Sequence, residues 1–324
     1  MKAIVQDNYG SWDTLKVEEV AIPIPKENEV LVAIKGASLN APDWRLLQGK
    51  PFIVRAVSGW LKPKARVKGT DFSGIITTTG RSVKEFKVGD CVYGDLSGCG
   101  FGAFADFVCV DEKQIAKMPS NLSYSEAASL PLTSVTALQA VRNLANVNQS
   151  DRVLIVGASG GVGSYMIQHC KNLKAHITAV VSTKRIPQAI QLGADDVIDY
   201  TTDDLSKMTS SYDVILYVNG NYPIAIFHKM LSDKGRFVLV GSSNLKHILY
   251  LSIFGKKLSK KYGKRYSVLM AKPNVNDLKF ISDSVEQGKL IPVIDRQIEF
   301  SEIPYWIGEL EKGHVGGKII VSLE

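Results

Sequence analysis

The residues best suited to chemistry in this chain are seven in a row, Gly157-Ala158-Ser159-Gly160-Gly161-Val162-Gly163. Glycines at this density permit a tight turn, let backbone N–H groups approach a pyrophosphate, and let a helix pack closely on a sheet. A Gly-rich run alone says little. Here an apolar strand, Val153 to Val156, runs into it, and a helix starts at Val162. The N-terminus of such a helix offers unpaired N–H groups and partial positive charge to phosphates. The plainer reading is a strand–helix turn made of small residues; the βαβ context favours a dinucleotide site.

The end of the next strand selects between coenzymes. NAD sites place an Asp or Glu about 20 residues past the turn, on the ribose hydroxyls. Val181 is followed instead by Ser182, Thr183, Lys184 and Arg185, and the next acid is Asp195. Cations where a 2′-phosphate would sit favour NADPH. The competing reading makes Lys184 and Arg185 a solvated helix start.

These residues need a scaffold. Up to Pro119 the chain is β-rich, with short runs at Ala3 to Gln6, Val30 to Ile34, Gly74 to Thr79, Asp90 to Tyr93 and Phe104 to Val110. Gly and Pro punctuate them, as in a compact antiparallel or barrel-like domain. Ser125 to Val141 then reads as one helix. Strand–helix alternation follows: strands at Val153 to Val156, Ile177 to Val181, Val214 to Val218 and Phe237 to Val240, a short extended segment at Asp196 to Tyr200, and helices at Val162 to Leu173, Arg185 to Leu192 and around Ile224 to Leu231. Strands that read as buried on both faces, with helices between, predict a doubly wound parallel sheet and an α/β fold. After Val268 to Met270 there remain a helix near Asn276 to Gln287, a Pro292 segment, a helix near Glu302 to Glu311 and a strand Lys318 to Ser322. These are too few for a third domain.

Bulk composition fits an ordinary globular protein, with 45% hydrophobic and 22% charged residues in 324. Met1 leads directly into strand-like sequence and no apolar run approaches a membrane span, so a cytoplasmic location is expected. Four cysteines, Cys91, Cys99, Cys109 and Cys170, lack paired spacing and read as reduced thiols.

With these segments in hand, the chain resembles the medium-chain dehydrogenase/reductase superfamily, in its zinc-free quinone oxidoreductase (zeta-crystallin-like) branch. The resemblance rests on Asn40-Ala41-Pro42-Asp43 with Gly49, Gly69-Thr70-Asp71-Phe72-Ser73-Gly74, Val88-Gly89-Asp90-Cys91-Val92, Ala127-Ala128-Ser129-Leu130-Pro131, the glycine turn, and Leu192-Gly193-Ala194-Asp195. It implies a GroES-like β-barrel domain over residues 1–121 and 272–324, and a Rossmann NADP-binding domain over 122–271. It further implies Thr136 at the nicotinamide end, and Gly160, Gly161 and Val162 at the pyrophosphate. Ser182, Arg185 and Tyr200 fall around the 2′-phosphate with Lys184 beside them, Gly241 and Ser242 at the nicotinamide ribose, and Lys318 near the cofactor. Asn40 and Asp43 would line the cleft beneath the nicotinamide, and a homodimer is expected by the same analogy. Asn219-Gly220-Asn221 departs from a common Asp-x-x-Gly pattern and receives no role.

Superfamily members differ most in metal. Zinc alcohol dehydrogenases carry a Cys near the position of Asn40 and a His near Thr70, and both are missing here. Cys91, Cys99 and Cys109 lie eight and ten residues apart, unlike the close pairs of a structural zinc site. His169 and Cys170 fall on the helix after the glycine turn and read as packing. No metal is expected. Without a Lewis acid, alcohol oxidation loses its support, whereas hydride delivery to an electrophilic quinone or activated alkene (enone) remains feasible. A proton must follow the hydride. Asp43 and Tyr93 are the two candidates, although Tyr93 equally suits a barrel core with its hydroxyl at the rim.

The net charge of +7 sits in one place. Lys246, Lys256, Lys257, Lys260, Lys261, Lys264 and Arg265 occupy a stretch with no Asp or Glu between Asp233 and Asp277; setting them aside leaves 32 basic against 32 acidic residues. Ile248 to Phe254 adds an apolar half. The segment 246–265 reads first as a lid or dimer-edge insertion with solvated lysines. The alternatives are peripheral membrane contact or, less favoured, nucleic acid. A low-activity NADPH-binding adaptor working through this segment is the competing function.

Overall fold

The structure, a computed structural model, describes every residue except 51, 53, 243, 314 and 324. The chain forms two compact units, Met1–Leu132 with Pro273–Glu324, and Thr133–Lys272. The expected boundary at 121/122 therefore moves later. The extra segment stays with the first unit because helix Tyr124–Ala128 packs there, its Tyr124 carbonyl accepting from Ser73 Oγ at 2.6 Å.

In the first unit, β1 (Lys2–Val5) pairs with β2 (Lys16–Glu19). The ten-residue strand β3 (Glu29–Ser38) precedes α1 (Ala41–Gln48) and α2 (Val54–Ser58). β4 (Asp71–Thr79), β5 (Cys91–Asp95), β6 (Phe107–Asp111), β7 (Ile115–Lys117) and α3 (Tyr124–Ala128) follow. β3 is the organiser. One edge pairs antiparallel with β4; the other is divided between β6 at its start and the last strand of the chain at its end. Alternate residues Val30, Val32 and Ile34 of β3 and Phe72 and Ile76 of β4 point into one core, as the two-residue period of a strand requires.

The expected helix Ser125–Val141 is three pieces. Pro131 has no N–H with which to continue α3, so it opens a new helix, α4 (Pro131–Leu138). A π-helical stretch, Gln139–Ala145, follows and ends at Asn146, which takes φ 48°. The second unit then alternates β8 (Arg152–Val156), α5 (Gly161–Asn172), β9 (His176–Val181), α6 (Ile186–Leu192), β10 (Asp196–Asp199), β11 (Tyr212–Tyr217), α7 (Ile224–Met230), β12 (Leu231–Leu239), α8 (Leu245–Tyr262) and β13 (Arg265–Val268). The sheet order is β10-β9-β8-β11-β12-β13, all parallel. This is the two-halved nucleotide-binding order, with its switch point between β8 and β11. Val153, Leu154, Ile155 and Val156 are at most 1% exposed, so the continuous apolar run reflects burial on both faces.

The tail returns to the first unit as α9 (Val275–Glu286), β14 (Ile294–Ile298), α10 (Ile303–Lys312) and β15 (Lys318–Ser322). β15 pairs with β3 through Ile320 opposite Ser38. Residues 278 positions apart in sequence thereby become neighbours.

Candidate active site

The glycine turn lies at the carboxyl end of β8, where ligands bind in open parallel sheets. Gly157 has φ 83°, a left-handed conformation that strains other residues. Gly163 is required for a different reason: a Cβ there would stand 2.3 Å from the Gly157 carbonyl oxygen. At Gly160 the space is open, with the nearest atom 3.9 Å from an added Cβ. Gly160 is the N-cap of α5, so Gly161 and Val162 begin the helix with N–H groups unused by any preceding turn. The turn fits a pyrophosphate.

Ser182 follows β9, and Thr183–Arg185 form a single 3₁₀ turn that feeds α6. Lys184 is exposed and Arg185 half-buried. Arg185 Nη1 donates to Gln188 Oε1 at 3.4 Å, and Gln188 Nε2 donates to the Ser159 carbonyl at 3.4 Å. Gln188, which sequence reading passed over, thus ties the cationic turn to the glycine turn. Tyr200 follows β10 and its backbone N–H donates to the Val181 carbonyl at 3.0 Å, so its 48%-exposed side chain sits beside the end of β9. Ser182, Lys184, Arg185 and Tyr200 are therefore one neighbourhood.

One carboxylate in that neighbourhood was not foreseen. Asp199, the last residue of β10, accepts from Thr183 Oγ1 at 2.5 Å and from Thr201 Oγ1 at 2.7 Å. These bonds, led by that from Thr183, hold its carboxyl below the usual range. Its oxygens are spent fixing the turn that carries Lys184 and Arg185. It became visible only through the β9–β10 register, which puts Asp199 opposite Val181.

Gly241 and Ser242 follow β12. A Cβ on Gly241 would come 2.6 Å from the Val218 carbonyl oxygen, so this crossing needs glycine. Ser242 is buried; its Oγ accepts from Asn244 N–H at 3.0 Å and pairs with His247 Nδ1 at 3.1 Å. Thr136 is buried on α4 of the same unit.

The first unit holds a separate buried polar group. Lys318, 2% exposed, directs Nζ to the Leu39 carbonyl at 3.1 Å, Asn40 Oδ1 at 2.5 Å and Asp71 Oδ2 at 3.3 Å. Asn40 Nδ2 donates to Thr70 Oγ1 at 2.8 Å and to Asp71 Oδ2 at 2.9 Å. Asp71 also accepts from Ser38 Oγ at 3.1 Å and from Leu132 N–H at 3.0 Å. Asp43 caps α1 by accepting from Asn40 N–H at 2.7 Å. Four elements, β3, α1, β4 and β15, deliver this group, so the amide of Asn40 has one fixed orientation.

Burial governs its electrostatics. Desolvation raises the Asp43 carboxyl to about 7, against the opposing bond from Asn40. Asp71 and Lys318 are each pushed by burial toward their neutral forms, and each is held back chiefly by the other's charge. Asp95, whose carboxylate accepts from Ser97 N–H at 2.8 Å, is also raised by burial to about 7.

Two of the expected site residues are engaged with neighbouring protein groups. Tyr93 is fully buried; its hydroxyl donates to the Leu278 carbonyl at 2.8 Å and meets Ser282 Oγ at 2.9 Å. Its hydroxyl ties β5 to α9, the barrel-core placement that the sequence reading held open beside the proton-donor role. Lys318, expected near the cofactor, directs its ammonium to Leu39, Asn40 and Asp71 and so holds the Asn40 amide in place. His169 is buried and held neutral, its pKa lowered by desolvation to about 4. Cys91, Cys99, Cys109 and Cys170 are all free thiols.

Known proteins match the chain in sequence and in fold. Residues 26–120 match the alcohol dehydrogenase GroES-like domain, and residues 192–321 match the zinc-binding dehydrogenase family. A chloroplast envelope quinone oxidoreductase homolog of Arabidopsis thaliana is 32% identical over 335 residues, covering 99% of this chain and 98% of its own. An NADPH-dependent alkenal/one oxidoreductase, also of Arabidopsis thaliana, is 31% identical, with 99% and 79% covered. The solved quinone oxidoreductase from Coxiella burnetii superposes with a TM-score of 0.87 at 29% identity, covering 100% and 99% of the two chains. This chain belongs to the medium-chain dehydrogenase/reductase superfamily, in its quinone oxidoreductase branch, and is an NAD(P)H-dependent oxidoreductase.

Proposed function

We propose that the chain transfers a hydride from NADPH to a quinone or an activated alkene such as an enone, without zinc. The observation that carries this reading is the Lys318–Asn40–Thr70 group. In zinc alcohol dehydrogenases the corresponding positions hold a Cys and a His. Here an amide, a hydroxyl and an ammonium meet instead. An ammonium repels a divalent cation, and neither an amide nitrogen nor a hydroxyl substitutes for thiolate and imidazole. The residues do not fit zinc, and no step is assigned to it.

The nicotinamide coenzyme supplies hydride chemistry when bound; the glycine turn and the Ser182–Arg185 cations have the shape and charge to hold its phosphates. With Tyr93 committed elsewhere, Asp43 is the candidate proton source. Its carboxyl at about 7 is half-protonated near neutrality, the range in which a general acid works best. The acceptor class draws on the names of the two Arabidopsis relatives. Those names are oxidoreductase names, so the adaptor reading loses ground.

The test is NADPH and NADH oxidation against a panel of quinones and 2-enones, with metal analysis of the same preparation. The expected result is turnover preferring NADPH, unaffected by chelators, with kcat/KM falling as pH rises through about 7. Stoichiometric zinc whose removal abolishes turnover would overturn the reading.

A further inference from the structure

The segment left without a function is a single 18-residue helix, α8. Its inward side, Ile248, Leu251 and Leu258, packs against the core of the parallel sheet. Its outward side is unusual. Leu249, Tyr250, Ile253 and Phe254 are 62%, 43%, 59% and 43% exposed. Spaced i, i+1, i+4 and i+5, they form one patch over two turns. The Tyr250 and Phe254 rings lie 5.4 Å apart, which makes the patch continuous. The same outward side carries on into Lys256, Lys257, Lys260 and Lys261, all exposed. None of these lysines makes an ion pair among the described residues, and no acid lies between Asp233 and Asp277 in sequence.

A merely solvated helix would not display four large apolar side chains together. A polynucleotide would use the lysines and leave those side chains in water. A second copy docked helix to helix would cover the apolar patch but offer the lysines no opposite charge, because α8 holds no acid. One surface satisfies both halves. At an anionic bilayer, apolar and aromatic side chains enter the boundary between headgroups and acyl chains while ammonium groups meet lipid phosphates. We propose that the outward side of α8 docks the enzyme peripherally on an anionic phospholipid surface. No helix among the described residues is long and apolar enough to cross a membrane. The proposal is independent of which acceptor the enzyme reduces.

The test is co-sedimentation of the full-length protein with vesicles of phosphatidylcholine alone and of equimolar phosphatidylcholine and phosphatidylglycerol. Binding is expected only to the anionic vesicles, and weaker at high salt. Each lysine near such a surface strengthens attachment about fivefold. The quadruple variant Lys256→Glu, Lys257→Glu, Lys260→Glu, Lys261→Glu should therefore bind at least roughly tenfold more weakly, and the four Lys→Arg changes should preserve binding. Leu249→Ser with Ile253→Ser, which keeps every charge, should also release the protein. All sites are exposed, and circular dichroism reports whether each variant is folded. Failure of the wild-type protein to bind anionic vesicles would overturn the proposal, as would a folded Glu variant that binds like wild type. So would lysine-dependent RNA binding without vesicle binding, or a dimer that the Ser variant dissociates while vesicles are ignored.

Discussion

Replacing Lys318 with Met tests whether the buried group is held together by charge. Lys318 is 2% exposed and Asp71 fully buried, so Lys318→Met leaves a carboxylate with no cation in a dry site. Breaking such a pair costs about 3–5 kcal/mol. Asp71 can escape part of this by taking up a proton, toward which burial already biases it, so about 3 kcal/mol is expected near neutral pH. For a unit of this size that lowers Tm by about 6–12 °C. The pH dependence is the sharper readout. Without Lys318, the folded state holds a proton on Asp71 that the unfolded chain releases, so stability falls as pH rises through the interval between the two pKa values. The variant should therefore be closer to wild type at about pH 5 than at about pH 8. Lys318→Met with Asp71→Asn removes the charge altogether and should recover at least half of the loss. Calorimetry of wild type, both single variants and the double variant at the two pH values measures this. A deficit that ignores pH and is not rescued by Asp71→Asn would refute the reasoning.

Other expectations are as specific. Gly163→Ala puts a Cβ 2.3 Å from the Gly157 carbonyl and should disrupt the turn, costing about 1–3 kcal/mol in stability and most coenzyme affinity by fluorescence titration. Lys184→Glu with Arg185→Glu should raise the Kd for NADPH roughly 10- to 100-fold while leaving that for NADH nearly unchanged, since charge-assisted bonds to phosphate contribute about 1.5–3 kcal/mol. Equal losses for both coenzymes would remove the 2′-phosphate assignment. His169, its pKa lowered from 6.5 to about 4, stays neutral when folded and charges when unfolded, so its contribution to stability is lost as pH falls from about 6.5 toward about 4. His169→Met, which also removes an Nε2 without a hydrogen-bond partner, should flatten that acid limb by up to about 3 kcal/mol in a pH series of thermal unfolding curves.

What could be read from sequence was what local physics writes locally. Val153–Val156, Ile177–Val181 and Val214–Val218 announce themselves because a strand buried on both faces is apolar along nearly its whole length. The glycine turn is equally local: its steric demands fall within seven residues. β2 escaped notice because Lys16-Val17-Glu18-Glu19 is almost wholly exposed and carries no apolar alternation. The break at Pro131 was missed because Ala127 to Leu130 and Leu132 to Leu138 both suit helices, and the phase between them is set by tertiary packing. α8 hid for the opposite reason. Its outward apolar residues blur the periodicity that marks a helix with a solvated face.

The polar group in the first unit shows where local reading ends. Asp71 and Lys318 are 247 residues apart, and nothing near either residue names the other. Each taken alone is a charged residue in a strand, which on average lies at a surface. Their meeting depends on β15 pairing with the end of β3 while β6 pairs with its start. The tail after Lys272 is thus more than a completion of the sheet. It carries the ammonium that fixes the Asn40 amide. A truncation that removes β15 would therefore release Asn40 as well as unpair β3, and Lys318→Met separates the two effects because it leaves the strand in place.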